Sequence, residues 1–277
     1  MNKSGKKRFL IRMLLGVFIM GMLGGLGTGI LYFYNTSKEK KEFRQQGLDA
    51  YSAGSYEEAI EAFRVSLDSK GYLQGPVDRD SRLYLADCYF LCGRYEEAME
   101  QYDILLKTEV EHIDYLIYQK TIAQGLLNYE NDNYKDALPA FETALNAGHT
   151  EIAIYAGICA QNLGRESEMV SYYTIYLTNY PDSAYACTKL ADYYLQDENY
   201  ETCKKYIDLG LSMDDTSCDE ALSWLNIVYY EYQLDYDQAY RLIKDYMSRY
   251  DVTDQVQREY DFLSTRQTTD ALTSLVQ

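Results

Sequence analysis

The chain has 277 residues, of which 47% are hydrophobic, so it is long enough to bury one or two cores. Its formal net charge is −17, with 43 Asp and Glu against 26 Lys and Arg. Residues 1–44 contain nine Lys and Arg and only two Asp and Glu, which leaves 17 basic and 41 acidic residues in the remainder. Because an acidic body repels phosphate backbones and anionic lipid, the composition argues against nucleic-acid binding.

The first part of the chain has the pattern of a membrane segment. Residues 1–12 form a basic tail, and residues 13–36 are uncharged and mostly apolar, which is long enough to cross the hydrocarbon core of a bilayer. A cleaved signal peptide is the alternative interpretation. The length of the apolar run and the lack of an A-x-A-like cleavage site favour an uncleaved signal anchor. We therefore predict a single-pass protein of the cell membrane.

The orientation of this anchor depends on the basic residues beside it. The basic tail suggests that the N-terminus is inside and the body outside, although Lys38, Lys40, Lys41 and Arg44 on the other flank weaken the asymmetry. We predict an extracytoplasmic body. Within the span, small residues recur every four positions, which could let two such helices pack in a homo-oligomer. These residues are Gly21, Gly25 and Gly29.

After the span, one short pattern recurs along the chain. YEEAIEAF around Ala59 returns as YEEAMEQY around Ala98 and as YKDALPAF around Ala137. Weaker copies follow around Met169, Cys203 and Ala239, so that the six copies are separated by 39, 39, 32, 34 and 36 residues. Each copy has helical spacing and follows another predicted helix that contains a small residue. The chain is therefore built from repeated helix pairs.

These small and aromatic positions resemble the tetratricopeptide repeat. The residues that carry the resemblance best are Gly47, Gly54, Tyr56, Ala59 and Phe63, followed by Ala86, Gly93, Tyr95, Ala98 and Tyr102. The resemblance covers about residues 40–251. It implies an all-α fold in which the transmembrane helix precedes a tetratricopeptide-like α-solenoid of about six helix pairs. Residues 252–277 are then expected to form a C-terminal capping helix.

No catalytic motif is present in the sequence, and we predict that the protein is not an enzyme. Cys88 and Cys92 lie four residues apart on one predicted helix face, a spacing that could ligate a metal. Only two histidines, His112 and His149, accompany them, and no second cysteine pair lies nearby. We prefer the interpretation of small residues buried between helices. We therefore expect neither a metal nor a cofactor.

Repeat proteins of this kind bind ligands on the face formed by the first helix of each pair. Helical phase predicts an aromatic and acidic groove there, although several of its members could instead be core or spacer residues. The groove residues are Tyr84, Asp87, Phe90, Tyr129, Tyr155, Asp192, Trp224 and Glu231. Such a surface suits a protein or peptide segment with apolar and basic side chains.

One family subtype grips the terminal carboxylate of its partner with Lys, Arg and Asn. The corresponding positions here are Leu48, Tyr84, Gln119 and Ala123, so that clamp is absent. The sequence therefore predicts a membrane-anchored scaffold or adaptor that binds protein segments. By resemblance, it would serve secretion, envelope assembly or complex assembly. The alternative is a self-assembling structural membrane protein without a dedicated peptide ligand.

Overall fold

The computed structural model describes residues 37–69, 75–108 and 112–267, and all regular structure in these ranges is helical. The first helix, α1, includes residues 37–52. It is followed by α2 (Tyr56–Asp68), α3 (Gly75–Leu91), α4 (Tyr95–Leu106), α5 (Ile113–Glu130), α6 (Tyr134–Asn146), α7 (Ala153–Asn162), α8 (Glu166–Asn179), α9 (Ala184–Gln196), α10 (Tyr200–Leu211), α11 (Asp219–Tyr232), α12 (Tyr236–Arg249) and α13 (Asp254–Ser264). Short 3-10 turns at Thr150–Ile152 and Thr216–Cys218 precede α7 and α11.

The helices form six pairs, α1 with α2 through α11 with α12, and this confirms the predicted all-α repeat. The chain divides into two compact units, Met1–Leu127 and Asn128–Gln277. Within each unit, the main contacts join elements that are adjacent or next but one along the chain. The predicted tail, the predicted span and its glycines Gly21, Gly25 and Gly29 lie outside the described residues. In the ranges that the structure describes, no helix is long and apolar enough to span a bilayer.

Two positions in the second helix of every pair explain why the pairs form. The residue at the centre of each copy of the repeated pattern is buried in all six pairs: Ala59, Ala98, Ala137, Met169, Cys203 and Ala239. Four residues later, a larger side chain is fully buried: Phe63, Tyr102, Phe141, Tyr173, Ile207 and Ile243. Residues four apart share one face of a helix, so this stripe packs each second helix against its partner.

The same backbone turn joins the two helices of each pair. The second residue after the first helix has a positive φ in all six turns: Gly54, Gly93, Asp132, Gly164, Glu198 and Leu234. The next amide donates to a carbonyl five residues earlier, as Ser55 N–H does to Ala50 at 2.9 Å and Asp235 N–H does to Tyr230 at 2.9 Å. This is the hydrogen bond of a Schellman C-cap, which satisfies a carbonyl left free at the helix end. The turns therefore share one geometry, although three of them lack the preferred glycine.

Two basic residues of α1 fix that helix to α3. Lys40 is buried, and its ammonium lies 2.6 Å from the Asp78 carboxylate and donates to the Ser69 carbonyl at 2.9 Å. One turn later, Arg44 pairs with Asp80. Because a buried ammonium needs a counter-ion and hydrogen-bond acceptors, these contacts define where the N-terminus of α3 sits.

The last described helix, α13, packs on α12 and lies in the first half of the predicted capping segment. Thr253 caps it, since its hydroxyl oxygen accepts from the Val256 amide at 3.3 Å. Val256 and Leu263 are buried beneath the helix. Residues 268–277 lie outside the described ranges.

Candidate ligand-binding surfaces

Three of the predicted groove residues, Tyr84, Asp87 and Phe90, lie on α3 in the first unit. The Tyr84 ring stacks on Phe63 at a centroid distance of 5.7 Å and meets Tyr51 edge-on at 5.2 Å. Phe90 meets Tyr95 edge-on at 5.6 Å. Tyr84 and Phe90 are partly exposed, and both already pack on rings of neighbouring helices.

Asp87 lies among tyrosines from three other helices. Tyr102 of α4 donates its hydroxyl to Asp87 Oδ1 at 3.3 Å. Burial, and next to it the charge of Asp87, raises the pKa of Tyr51 and Tyr102. Burial also raises the pKa of Tyr115, and the charge of Asp87 adds to that rise. All three hydroxyls therefore lie in the field of one carboxylate.

The carboxyl of Asp87 is partly desolvated by these neighbours. Burial raises its pKa to about 6, and the hydrogen bond from Tyr102 opposes that rise. No ion pair between described residues involves Asp87, whereas Asp78 and Asp80 on the same helix pair with Lys40 and Arg44. At neutral pH, Asp87 is therefore a mostly ionised carboxylate without a basic partner in the described part of the chain.

An open cavity of about 530 Å³ lies beside this cluster, between α3 and α5. Its apolar lining residues are Pro76, Leu83, Leu105, Tyr115 and Leu116, and its polar ones are Arg79, Asp80 and His112. Tyr115 is 41% exposed. Helical phase drew attention to α3 but missed Leu83 and Tyr115. The sequence signal that could have found this surface is the run Ile113, Tyr115 and Ile117, three large exposed side chains at alternate positions.

In the second unit, Tyr129 and Tyr155 form one aromatic cluster with the buried ring of Phe141. Tyr129 meets Tyr155 edge-on at 5.2 Å, and Tyr155 lies 5.7 Å from Phe141. Both tyrosines are partly exposed. Ring contacts of this kind stabilise helix packing and leave part of each ring available at the surface.

Asp192 of α9 faces a shallow crevice against the turn between α7 and α8. Lys189, Tyr193 and Gly164 also line this crevice, which has a volume of about 140 Å³. The crevice is therefore much smaller than the cavity beside Asp87.

Trp224 lines a surface cavity of about 460 Å³ where α11, α12 and the start of α13 meet. Its ring meets Tyr246 edge-on at 5.6 Å, and the Tyr246 hydroxyl donates to Glu220 at 3.0 Å. Glu220, Thr253 and Gln255 form the polar part of the lining. The only tryptophan of the chain is thus partly exposed in a cavity that has both apolar and acidic walls.

Glu231 lies two turns further along α11 and faces Glu259 of α13. Burial, together with the neighbouring Glu259 carboxyl, raises the pKa of Glu231 to about 8. Each residue has one buried carboxyl oxygen without a hydrogen-bond donor among the described residues. The two carboxyls therefore share a proton at neutral pH more readily than they both ionise.

The cysteines have the surroundings of packing residues. Cys88 is fully buried, and burial raises the pKa of its thiol to about 12, which disfavours the thiolate that a metal would need. Cys92 is partly exposed. Within the described ranges, no group of three or more His, Cys, Asp or Glu side chains is arranged to hold a metal ion.

Two segments of the chain match family models described as tetratricopeptide repeat, namely residues 44–109 and 154–183. A solved structure of Pseudomonas aeruginosa pilF is 17% identical, with a TM-score of 0.55 over 84% of this chain and 100% of that chain. MamA from Desulfovibrio magneticus RS-1 is 15% identical, with a TM-score of 0.49 over 65% of this chain and 97% of its own. No curated protein matches the sequence. The described helix pairs therefore have a tetratricopeptide-like fold.

Proposed function

We propose that this protein is a non-enzymatic scaffold that binds segments of partner proteins on the first helices of its repeats. Residues 13–36 tether it to the cell membrane, and its repeats face the extracytoplasmic side. Stacked helix pairs of this kind present extended binding surfaces, which supports the interaction role. The resemblance to tetratricopeptide-repeat proteins supports a role in secretion, envelope assembly or complex assembly.

The cavity between α3 and α5 is the observation that carries this proposal. It is about 530 Å³ in volume and mainly apolar, and it opens at the surface of a unit whose packing stripe is already fully buried. Exposed apolar surface that the fold does not use for its own packing is typical of an interaction site. The strongly acidic composition of the chain favours basic partner segments.

Photo-crosslinking of the full-length protein in intact cells tests this function. A benzophenone amino acid replaces Leu83 in the cavity, or Glu61, which is exposed on the second helix α2. We expect discrete adducts with another protein from position 83 and not from position 61. Tyr115→Ala should weaken the adducts from position 83. Identical patterns from both positions, or no adduct from position 83, would contradict the proposed function.

The site of crosslinking matters because two obvious groove residues also stabilise the fold. Tyr84 stacks on Phe63 and Trp224 packs on Tyr246, so truncating either ring removes internal contacts as well as a surface. Leu83 and Tyr115 are better positions for separating binding from folding, since both lie at the open cavity.

The proposed topology has a separate test at Cys218. Cys88 is buried, but Cys218 is partly exposed in the 3-10 turn before α11. A variant that keeps Cys218 alone should react with a membrane-impermeant thiol reagent in intact cells if the repeats lie outside. Reaction only after permeabilisation would place the repeats in the cytoplasm.

Self-assembly is the second candidate function, and one exposed patch favours it. Tyr232 and Leu234 are 57% and 71% exposed at the end of α11, beside the Tyr200 ring, which lies 6.0 Å from Tyr232. Large exposed apolar side chains at a repeat turn can pair with a second copy. A molar mass that rises with protein concentration, and stops rising on Tyr232→Ser with Leu234→Ser, would support this function.

A further inference from the structure

We propose that Asp87, which accepts a hydrogen bond from the buried Tyr102, forms with Tyr51 and Tyr115 a subsite for the basic side chain of a partner segment, next to a pocket for an apolar side chain. This inference rests on the proposed function and specifies the chemistry of its ligand. The ligand is a lysine or arginine whose neighbour two positions away is apolar, in a segment of extended conformation.

The pairing of acidic residues on α3 provides the first reason. Asp78 and Asp80 form ion pairs with Lys40 and Arg44 of α1, so their negative charges are balanced within the fold. Asp87 receives only the Tyr102 hydroxyl, at 3.3 Å, and no basic side chain among its described neighbours. A partly buried carboxylate without a counter-ion is unfavourable in the free protein, and an incoming cation would relieve that penalty.

The surrounding rings provide the second reason. Tyr102 of α4 donates its hydroxyl to Asp87 at 3.3 Å, and the charge of Asp87 contributes to the raised pKa of Tyr51 on α1 and of Tyr115 on α5. Of these rings, that of Tyr115 is 41% exposed and can be reached by a ligand. An ammonium or guanidinium group gains both from a carboxylate and from the face of an aromatic ring. The chain already makes such a contact elsewhere, since Arg94 lies 4.6 Å from the centre of the Tyr89 ring.

The position of the cavity provides the third reason and sets the spacing of the ligand. Leu83 lines the cavity and precedes Asp87 by one turn of α3, which places the two side chains on one helix face, about 5–6 Å apart between their Cβ atoms. An extended peptide advances about 3.3 Å per residue, and alternate side chains point the same way. A basic residue at Asp87 therefore brings the residue two positions away to the cavity.

Binding of synthetic peptides to the full-length protein in detergent tests the subsite. The probes are short peptides with acetylated and amidated ends that carry Lys-Ser-Leu, Arg-Ser-Leu or norleucine-Ser-Leu at the centre. We expect the lysine and arginine peptides to bind about tenfold more tightly than the norleucine peptide, because only they have a charge for Asp87. Equal affinity for all three peptides would overturn the subsite.

The matched variants are Asp87→Asn and Glu100→Gln, which remove one negative charge each. Glu100 is exposed on α4 and serves as the charge control. Asp87→Asn should lose about tenfold in affinity for the lysine peptide and none for the norleucine peptide, while Glu100→Gln leaves both unchanged. Thermal melts of both variants establish that they are folded. Unchanged affinity in folded Asp87→Asn would overturn the subsite.

The outcomes also separate this inference from the function on which it rests. If peptides bind at the cavity regardless of charge, with Leu→Ser in the peptide abolishing binding, the scaffold function stands and the subsite fails. If no peptide binds and crosslinking from position 83 also gives no adduct, both fail. If replacing Lys3, Lys6, Lys7 and Arg8 by Ser raises the affinity for the lysine peptide about tenfold, the basic tail is the occupant and the partner assignment is overturned.

Discussion

The ring of Phe63 occupies the space that a side chain on Gly47 would need. A Cβ atom on Gly47 would lie 2.6 Å from Phe63 Cε1, well inside van der Waals contact. The same relationship recurs between Gly157 and Tyr173, also at 2.6 Å. In both pairs, the glycine lets the two helices approach and the large residue fills the notch between them.

Gly47→Ala should therefore destabilise the protein by about 2 kcal/mol, since the added methyl group overpacks a filled core. Urea unfolding followed by circular dichroism measures this change. In a protein that already carries Phe63→Leu, Gly47→Ala should cost less stability than it does in the unsubstituted protein, because the smaller side chain leaves room for the methyl group. Strict additivity of the two substitutions would contradict the proposed steric cause.

Leu234→Gly should raise the free energy of unfolding by about 1 kcal/mol. Leu234 has a φ of 59° and is 71% exposed, so its backbone is strained while its side chain contributes little packing. Glycine adopts this conformation without the steric penalty. The opposite exchange, Gly54→Ala at a φ of 77°, should lower stability by a similar amount. A loss of stability in Leu234→Gly would show that the leucine side chain has a stabilising contact.

The Glu231 and Glu259 pair should make stability fall as the pH rises. The pKa of Glu231 is about 8 in the folded protein and near 4.5 when it is unperturbed, so the folded state holds an extra proton between these values. Stability is therefore highest below pH 4.5 for this pair and decreases up to about pH 8. Burial of Asp87, with a pKa of about 6, adds a decrease of the same sign at lower pH.

Thermal melts across this pH range isolate the contribution of the pair. Glu259→Gln replaces one carboxyl by an amide, which can donate to Glu231 and removes the repulsion between the two acids. We expect the melting temperature of this variant to depend less on pH than that of the unsubstituted protein, with a difference of a few degrees near pH 8. Parallel curves for the two proteins would argue against a shared proton.

Replacing Asp78 should lower the free energy of unfolding more than replacing Lys40. The Lys40 side chain is 3% exposed, whereas that of Asp78 is 41% exposed. Asp78→Asn leaves a buried ammonium without a counter-ion, and we expect it to cost about 3 kcal/mol. Lys40→Met leaves a carboxylate that water can reach and should cost about half as much. Denaturant midpoints of the two variants measure this order, and the reverse order would contradict it.

The helix pairs could be predicted from sequence because their packing depends on local pattern. Ala59 and Phe63 are four residues apart, and the same small-to-large step recurs where the other second helices are buried. Gly54, Gly93 and Gly164 also marked their turns. Glu198 and Leu234 did not, since nothing in these side chains signals a positive φ, and Asp132 gave only the weak signal of a residue type that tolerates it. There, the packing of the two helices decides the backbone conformation.

The candidate site was only partly predictable, because its members come from several helices. Helical phase found Asp87, but it could not bring Tyr51, Tyr102 and Tyr115 to it, since that depends on how four helices meet. Glu231 was found without Glu259 for the same reason, since α13 had to be docked first. Tyr84 was assigned to the groove from its phase, yet its ring stacks on Phe63.

The nearest-neighbour arrangement of the helices has a consequence for how the chain acquires its structure. Because the main contacts in each unit join elements adjacent or next but one in sequence, little chain must be closed into loops before favourable packing begins. Chains with such local contacts fold quickly, in about microseconds to milliseconds for small helical domains. Within each unit, a helix pair can therefore settle against the preceding one while the rest of the chain is still being synthesised.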